Sequence, residues 1–597
     1  MSQAGYRRTT GLHAQNGDEM KHGGGQTSGR AMRGPPSFDP RDFQGFSYFL
    51  GAPRGKQRST WGKDPAETRK VFDALYVSLP RDQLGDNTNI PSGYTYLLQL
   101  LAHDLVQSTE PLWVAADADI PVSNRRTGTL QLDTLYGGGP TVCPLAFAPA
   151  TRAAPDFATK LRLGRVSDAQ QFADQCLARD LARVVLPVPP ERVTTKNSAA
   201  APANSGPMAD SGAAISTAHA AAPRANGGPM ANFYDTATQL YIADPRNGEG
   251  AILSQLVVLF FILHNGVVDR LSALPPSAQF AYARVMVLRI YRSVLRHDLL
   301  KRLLHESIYA KLSARAAASG DWLWHGSAIP YEFSHGAFRI GHAMTRPTYR
   351  LNERLGHDPG IDELLGGAIF RNGPLPSNWI LEWSRFFKLG GALNYACKFA
   401  ATQKLALNNS NLLTIVDAST FAGMPSNNTI SVRDWLSATA ARMWRTDALV
   451  NALSEHYRGL RFLRPTQIAE WLLELIQARA NDDEKAILRS RLSDLAGDLP
   501  LPLYVMLESQ MDPDVLGERV GVLGSILIGE VLFRRLAEED EAAEHDPLTH
   551  AAREAVGDAN WAEIESIRDM PALVRLAEKW GGLEQCQTLP FIVQPVQ

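Results

Sequence analysis

The chain has 597 residues, and its 60 Lys and Arg nearly balance its 62 Asp and Glu, for a formal net charge of −2. Such a balance supplies no global basic field to draw nucleic acid or anionic lipid. Hydrophobic residues make up 45% and charged residues 20%, the proportions of a soluble globular protein with ample material for a large core.

The N-terminus, MSQAGYRRTTGLHAQNGDEMKHGGG, has no apolar run of the kind a secretory signal requires. A cytoplasmic location is therefore expected, with non-classical export left open. Residues 1–35 are rich in Gly, Ser, Gln and Arg and read as a disordered arm. A second segment, 190–232, is dominated by Ala, Pro, Gly, Ser and Asn and reads as a flexible low-complexity insertion. The remainder, 36–189 and 233–580, reads as one domain with a single core, followed by a C-terminal tail over 581–597. The four cysteines, Cys143, Cys176, Cys397 and Cys586, are far apart and form no C-x-x-C pair. That spacing argues against a zinc site and a disulfide scaffold, and predicts buried or free thiols.

Apolar residues at three-to-four spacing predict helices over Tyr94–Val106, Ile252–Leu271, Ala281–Leu304, Ile380–Phe387, Ile468–Arg479 and Val520–Leu536. Ser92 and Ser254 are candidate helix starts. Strand-like alternation is scarce, so the fold class is mainly α, a large helical core with little β structure. The most apolar run, Ala251–Leu263, is 13 residues long. That is short of the roughly 20 that span a bilayer, and it reads as a buried core helix.

Three segments offer chemistry. In PSGYTYLLQLLAHDL, His103 lies on an apolar helix with Gln99 one turn earlier on the same face, and Asp104 follows on another face. In DPRNGEG, a polar turn leads into the apolar helix and sets Arg246 and Glu249 at its lip. A guanidinium cannot shed its proton, so near a buried site it needs an anionic or strongly polar partner. In FRIGHAMTRPTYRLN, Arg339, His342 and Arg346 cluster, with Arg339 three residues before His342. A neutral imidazole suits iron and the guanidiniums suit carboxylates. Taken singly, each of these is as readily a structural residue. H-E-x-x-H, an EF-hand loop, Walker A, a strand-linked G-x-G-x-x-G and G-x-S-x-G are all absent.

In this order and separation, the three segments resemble the bacterial members of the animal haem peroxidase family, in the peroxidase–cyclooxygenase superfamily. LDTLYGGGP, KLRLG, EWSRFFKLGG, YRGLRFLRPTQIAEWL and LGERVGVLGSILIGEVLF are similar to further family segments, and the resemblance covers roughly Pro36 to Trp580 apart from the insertion. It implies a haem-dependent peroxidase that reduces hydrogen peroxide at the expense of a small-molecule reductant, and a place in the response to oxidative stress. By that resemblance His103 is the distal acid–base group, Gln99 the distal glutamine and Arg246 the distal arginine. His342 is the proximal ligand of a haem b iron, and Arg339 and Arg458 meet the haem propionates. Asp104 with the loop Thr127–Asp133, including Thr127, Thr129 and Asp133, would bind Ca2+.

The sequence departs from the family pattern at several positions. Ala102 replaces an ester-forming acid, so only Glu249 can make a haem ester. Gly250 replaces the methionine of the chloride-oxidising enzyme, which puts halogenation in doubt. Gln131 replaces an acidic calcium ligand. Glu455, three residues before Arg458, stands where an asparagine usually supports the proximal histidine. Cyclooxygenase-like and fatty-acid dioxygenase relatives carry a radical-forming tyrosine three residues before that histidine, and here the residue is Arg339. A dioxygenase-like oxygenase and a non-catalytic haem-binding protein are the alternatives.

Overall fold

The computed structural model describes residues 44–82, 85–109, 122–148, 158–171, 177–185, 238–318, 320–366, 373–409, 429–586 and 589–592, with the short pieces 21–22 and 25–26. The predicted insertion and nearly all of the predicted arm lie outside these residues. Among the described residues, strands occur only in antiparallel pairs, and the rest of the regular structure is helical. The mainly α expectation holds.

The helices that position the site are α1 (Pro65–Ser78), α2 (Gly93–Leu105), α3 (Ala251–Arg270), α4 (Pro276–Val294), α5 (Glu306–Ala317), α6 (Ile430–Ala440), α7 (Thr446–His456), α8 (Leu501–Met511), α9 (Val522–His545) and α10 (Met570–Trp580). A helix that is apolar on every side must be covered on every side. Accordingly α3 is the central element, buried from Ala251 through His264 and packed against α2, α4 and α10. It is long and apolar enough to cross a membrane by length and composition, and 94% of that stretch is buried inside the protein. At its far end the Arg270 guanidinium lies over the Trp580 ring, 4.3 Å from the centroid.

The strand β1 (Asp86–Pro91) pairs with β2 (Tyr395–Cys397) and delivers the chain into α2. Ser92 is the residue before the helix, as expected, and its N–H donates to Asn394 O at 2.8 Å. Gly93 follows with its N–H on Phe386 O, and a Cβ there would lie 2.5 Å from the Phe387 ring. Only glycine permits this approach, which seats the start of α2 against the 383–387 segment.

Three expectations need correction. Ile380–Phe387 is not an α-helix: only Trp383–Arg385 winds, as a 3₁₀ turn. Its backbone is claimed from outside, with Leu381 N–H on Gln255 Oε1, Glu382 N–H on Leu351 O and Trp383 N–H on Phe591 O. The helix expected from Ser254 starts at Ala251 after Gly250, and the Ser254 hydroxyl folds back on Ala251 O at 3.1 Å. Cys586 is disulfide-bonded, whereas Cys143 and Cys397 are free and buried. The described part of the tail is packed, with Leu589 and Phe591 in the core.

The helix expected over 281–304 is interrupted by a π turn, Leu295–Leu299. The extra residue turns Asp298 inward, where its carboxylate accepts from Tyr94 Oη (2.5 Å), Arg302 Nε (2.6 Å) and Met570 N (2.9 Å). One carboxylate thereby joins α2, α4 and α10.

A second π turn, Glu332–Gly336, leads toward the site. Glu332 is buried and accepts from Phe49 N at 2.9 Å, yet burial pushes its carboxyl up to about 7. In the unfolded chain a Glu titrates near about 4.3. Stability tied to the protonated carboxyl is thus fully present below that value and lost as pH rises through 7. Glu332→Gln, which cannot ionise, is expected to flatten the fall in melting temperature over that window. Scanning calorimetry at several pH values measures it, and an unaltered slope would reject Glu332 as a source of the pH dependence.

Candidate functional site

The segment bearing His342, Ala337–Met344, is wound as 3₁₀ helix. At three residues per turn, side chains at i and i+3 eclipse, so Arg339 and His342 project from one strip. Both reach the same carboxylate on α6. His342 Nδ1 lies 2.7 Å from Asp434 Oδ2, and Arg339 Nη1 lies 3.7 Å from Asp434 Oδ1. Arg339 Nε also donates to Ser334 O at 3.1 Å. With the Nδ1 proton directed at Asp434, the lone pair sits on His342 Nε2, which is the state a metal requires. Asp434 occupies the supporting position expected for Glu455. Glu455 and Arg458 instead stand exposed, at the end of α7 and just beyond it. Arg346 turns away to bond Asp86 and Tyr395 O.

The same 3₁₀ segment lies against α2. Gly341 abuts Leu98, and a Cβ there would come within 3.0 Å of Leu98 Cδ2. Five residues beyond Leu98 on the same helix is His103, fully buried, with Nδ1 3.0 Å from Asn247 Oδ1. The Asn247 amide donates through Nδ2 to Thr134 O (2.9 Å) and Thr134 Oγ1 (3.0 Å). Its oxygen must therefore accept from His103, which assigns the Nδ1–H tautomer and leaves the lone pair on Nε2. Burial, reinforced by the Arg246 charge, pushes the imidazole down to about 3, so it is neutral at physiological pH.

Arg246 is also fully buried. Its Nη1 donates to Val106 O and its Nη2 to His103 O, each at 2.8 Å, which caps the carbonyls at the end of α2. The same guanidinium grips Asp244 through Nε (3.1 Å) and Nη2 (2.7 Å). Arg126 bonds the same carboxylate from the other side, and Thr134 Oγ1 adds a bond at 3.1 Å. Burial alone would raise the Asp244 carboxyl, but Arg246 and Arg126 hold it well below the usual carboxylate range. Glu249, three residues after Arg246, has its Oε1 sealed from solvent with no hydrogen-bond partner, and burial pushes its carboxyl up to about 8.

In the three otherwise buried segments, α2, 245–250 and 337–344, the residues that keep accessible surface are Gln99, Ala102, Glu249, Gly341 and His342. A histidine held through Nδ1 by a carboxylate, an unsatisfied carboxyl and a neutral second histidine make a set of groups that fits haem.

The loop expected to bind calcium is arranged differently. Leu132 N–H donates to Asp104 Oδ2 at 3.0 Å, and Asp104 Oδ1 is buried without a partner. Burial, and next the charge of Asp133, push the Asp104 carboxyl up to about 8. Asp133 Oδ1 is taken by Arg284 Nη2 at 3.2 Å. Gln131 Nε2 is bonded to Glu539 Oε2 at 2.5 Å, and Thr127 is exposed with its hydroxyl 2.6 Å from that of Thr129. Ca2+ prefers six to eight oxygens with ionised carboxylates among them. A carboxyl that favours its proton and a carboxylate already paired with a guanidinium do not fit that ion.

Sequence reasoning missed Asp434, Asn247, Asp244, Arg126 and Arg284. Asp244 and Asn247 flank Arg246 within DPRNGEG and were open to notice. Asp434 lies 92 residues from His342 and carries no local signal.

No family model matches the chain, and no curated protein matches it. Among solved structures it is similar to peroxidase A from Dictyostelium discoideum, with a TM-score of 0.48 and 12% identity, covering 93% of this chain and 98% of that one. It is also similar to fatty acid alpha-dioxygenase from Oryza sativa (TM-score 0.46, 12% identity, 96% and 90% covered). The corresponding figures for fatty acid alpha-dioxygenase from Arabidopsis thaliana are 0.46, 11%, 97% and 87%.

Replacing Asp244 tests the charge cluster. Asp244→Asn leaves two buried guanidiniums side by side without their shared anion, and is expected to cost on the order of 3–5 kcal/mol. Urea unfolding measures the loss, and an unchanged midpoint would show that the carboxylate does not hold the cluster.

Proposed function

We propose that this chain is a haem peroxidase in which His342 ligates the iron and His103 handles the peroxide protons. The observation that carries the reading is the pairing of His342 Nδ1 with Asp434, on a segment packed against the helix of His103. When bound, haem supplies the redox chemistry, and the protein supplies position and electrostatics. His342 Nε2 would hold the iron, and the Asp434 carboxylate on its Nδ1 would make that imidazole more electron-rich. Arg339 shares the carboxylate and fixes its direction.

Peroxide must lose a proton from one oxygen and gain it on the other. Neutral His103 accepts the first proton at Nε2 and returns it, so a lasting imidazolium is not required in a site that disfavours one. Asn247 keeps the imidazole in the tautomer this needs. Arg246 holds the end of the helix that carries His103. Its positive charge is shared with Asp244, which tempers the electrostatic help a distal arginine gives to a developing anion. Glu249 is the carboxyl assigned to a haem ester, a role that its unpartnered Oε1 supports. Hydrogen peroxide and a small organic or inorganic donor are the proposed substrates. A fatty-acid oxygenase of the tyrosyl-radical type needs a phenol where Arg339 stands committed to Asp434 and Ser334 O, so the peroxidase reading is preferred.

His342→Ala is expected to abolish the Soret band of the purified protein. His103→Ala should retain haem and react with peroxide roughly 10²-fold more slowly, as followed by stopped-flow absorbance. Equal reactivity in the two proteins would remove His103 from the chemistry, and a wild type that takes up no haem would end the proposal. Oxygen uptake with a long-chain fatty acid in place of peroxide would favour the oxygenase instead.

Acid–acetone extraction reads the tether. A fraction of the haem is expected to stay with the wild-type protein and none with Glu249→Gln. Complete release from wild type would show that no ester forms.

A further inference from the structure

The 127–133 loop is tied to α2 by the Leu132 N–H on Asp104 Oδ2. What holds the loop itself comes from α4. Arg284 and Arg292 lie eight residues, a little over two turns, apart on that helix. Arg284 Nη2 donates to Gln131 O and to Asp133 Oδ1, each at 3.2 Å. Arg292 Nε donates to Leu130 O at 3.0 Å, while its Nη2 pairs with Glu539 Oε2 at 2.6 Å. Glu539, on α9, is the same carboxylate that receives the Gln131 amide. Two guanidiniums thus bind the backbone carbonyls of residues 130 and 131 and the carboxylate of residue 133, which are oxygen donors of the kind a divalent cation gathers. Arg284 also lies 5.6 Å over the ring of Tyr136, three residues beyond the loop.

We propose that Arg284, backed by Arg292, does for this loop what a bound divalent cation would do, and is a positioning residue for the turn of α2 that carries His103. A fixed guanidinium on Asp133 excludes a second cation from the same oxygens by repulsion. It needs no metal supply and is not removed by a chelator. The importance of the held turn rests on the reading of His103 given above. The clamp itself does not, because neither measurement below requires peroxide turnover.

The test uses the full-length holoprotein. Elemental analysis is expected to find far less than one calcium per chain, and the melting temperature should be the same in EDTA and in millimolar calcium. Arg284→Gln should melt several degrees lower, and Arg284→Lys, which restores the charge, should recover most of the loss. Stoichiometric calcium, or a fall in melting temperature on chelation that calcium reverses, would overturn the proposal. So would an Arg284→Gln protein that melts like wild type, or a lysine variant no better than the glutamine. Should the variants fail to fold, the wild-type metal content and chelation response decide the matter alone.

Discussion

The buried carboxylate of Asp244 pairs with the guanidiniums of Arg126 and Arg246, and the His103 side of the candidate site is arranged around it. Two buried guanidiniums without an anion would be untenable. With it, Arg246 is free to spend its remaining donors on the carbonyls of His103 and Val106. The end of α2 is thereby fixed, and with it the depth of His103. Thr134 bonds both Asp244 and Asn247, so the network that fixes the charge also fixes the amide that assigns the imidazole tautomer. On the other side of the site one carboxylate again does two jobs, since Asp434 binds His342 and Arg339 through different oxygens.

The sequence made some of this legible. The central helix, α2 and the long C-terminal helix announce themselves by apolar spacing, because each buries a face or its whole circumference. His103, Arg246, Glu249 and His342 sit in short motifs whose order is informative even though no one of them is. Ile380–Phe387 misled, because the apolar spacing is genuine but serves burial without helical winding: Gln255, Leu351 and Phe591 take the backbone groups a helix would use. Asp434 and Arg284 were out of reach for another reason. Each acts on a residue far away in sequence, and an Asp or Arg on an otherwise ordinary helix looks like any solvated charge until the chain is folded.

The two expected cofactors differ in how well the residues suit them. For haem, the lone pair on His342, the unsatisfied carboxyl of Glu249 and the accessible strip of Gln99 and Ala102 all agree. For calcium, the loop has the oxygens but not the charge. Gln131 lacks it, Asp104 is reluctant to carry it, and Asp133 has given it to Arg284. Gln131 and Arg284 belong to one hydrogen-bonded unit with Asp133 and Glu539.

The separation of the bonded partners along the chain has a further meaning. His103 and Asn247 are 144 residues apart, His342 and Asp434 are 92 apart, and the 383 segment closes on Phe591. Contacts of such long range incur the loop-closure entropy before they yield stability, and they form late. The histidines acquire their partners only when distant parts of the chain have met, so a growing or partly folded chain has no assembled pocket. On the haem reading proposed above, tight binding would await chains in which both parts of the site have come together.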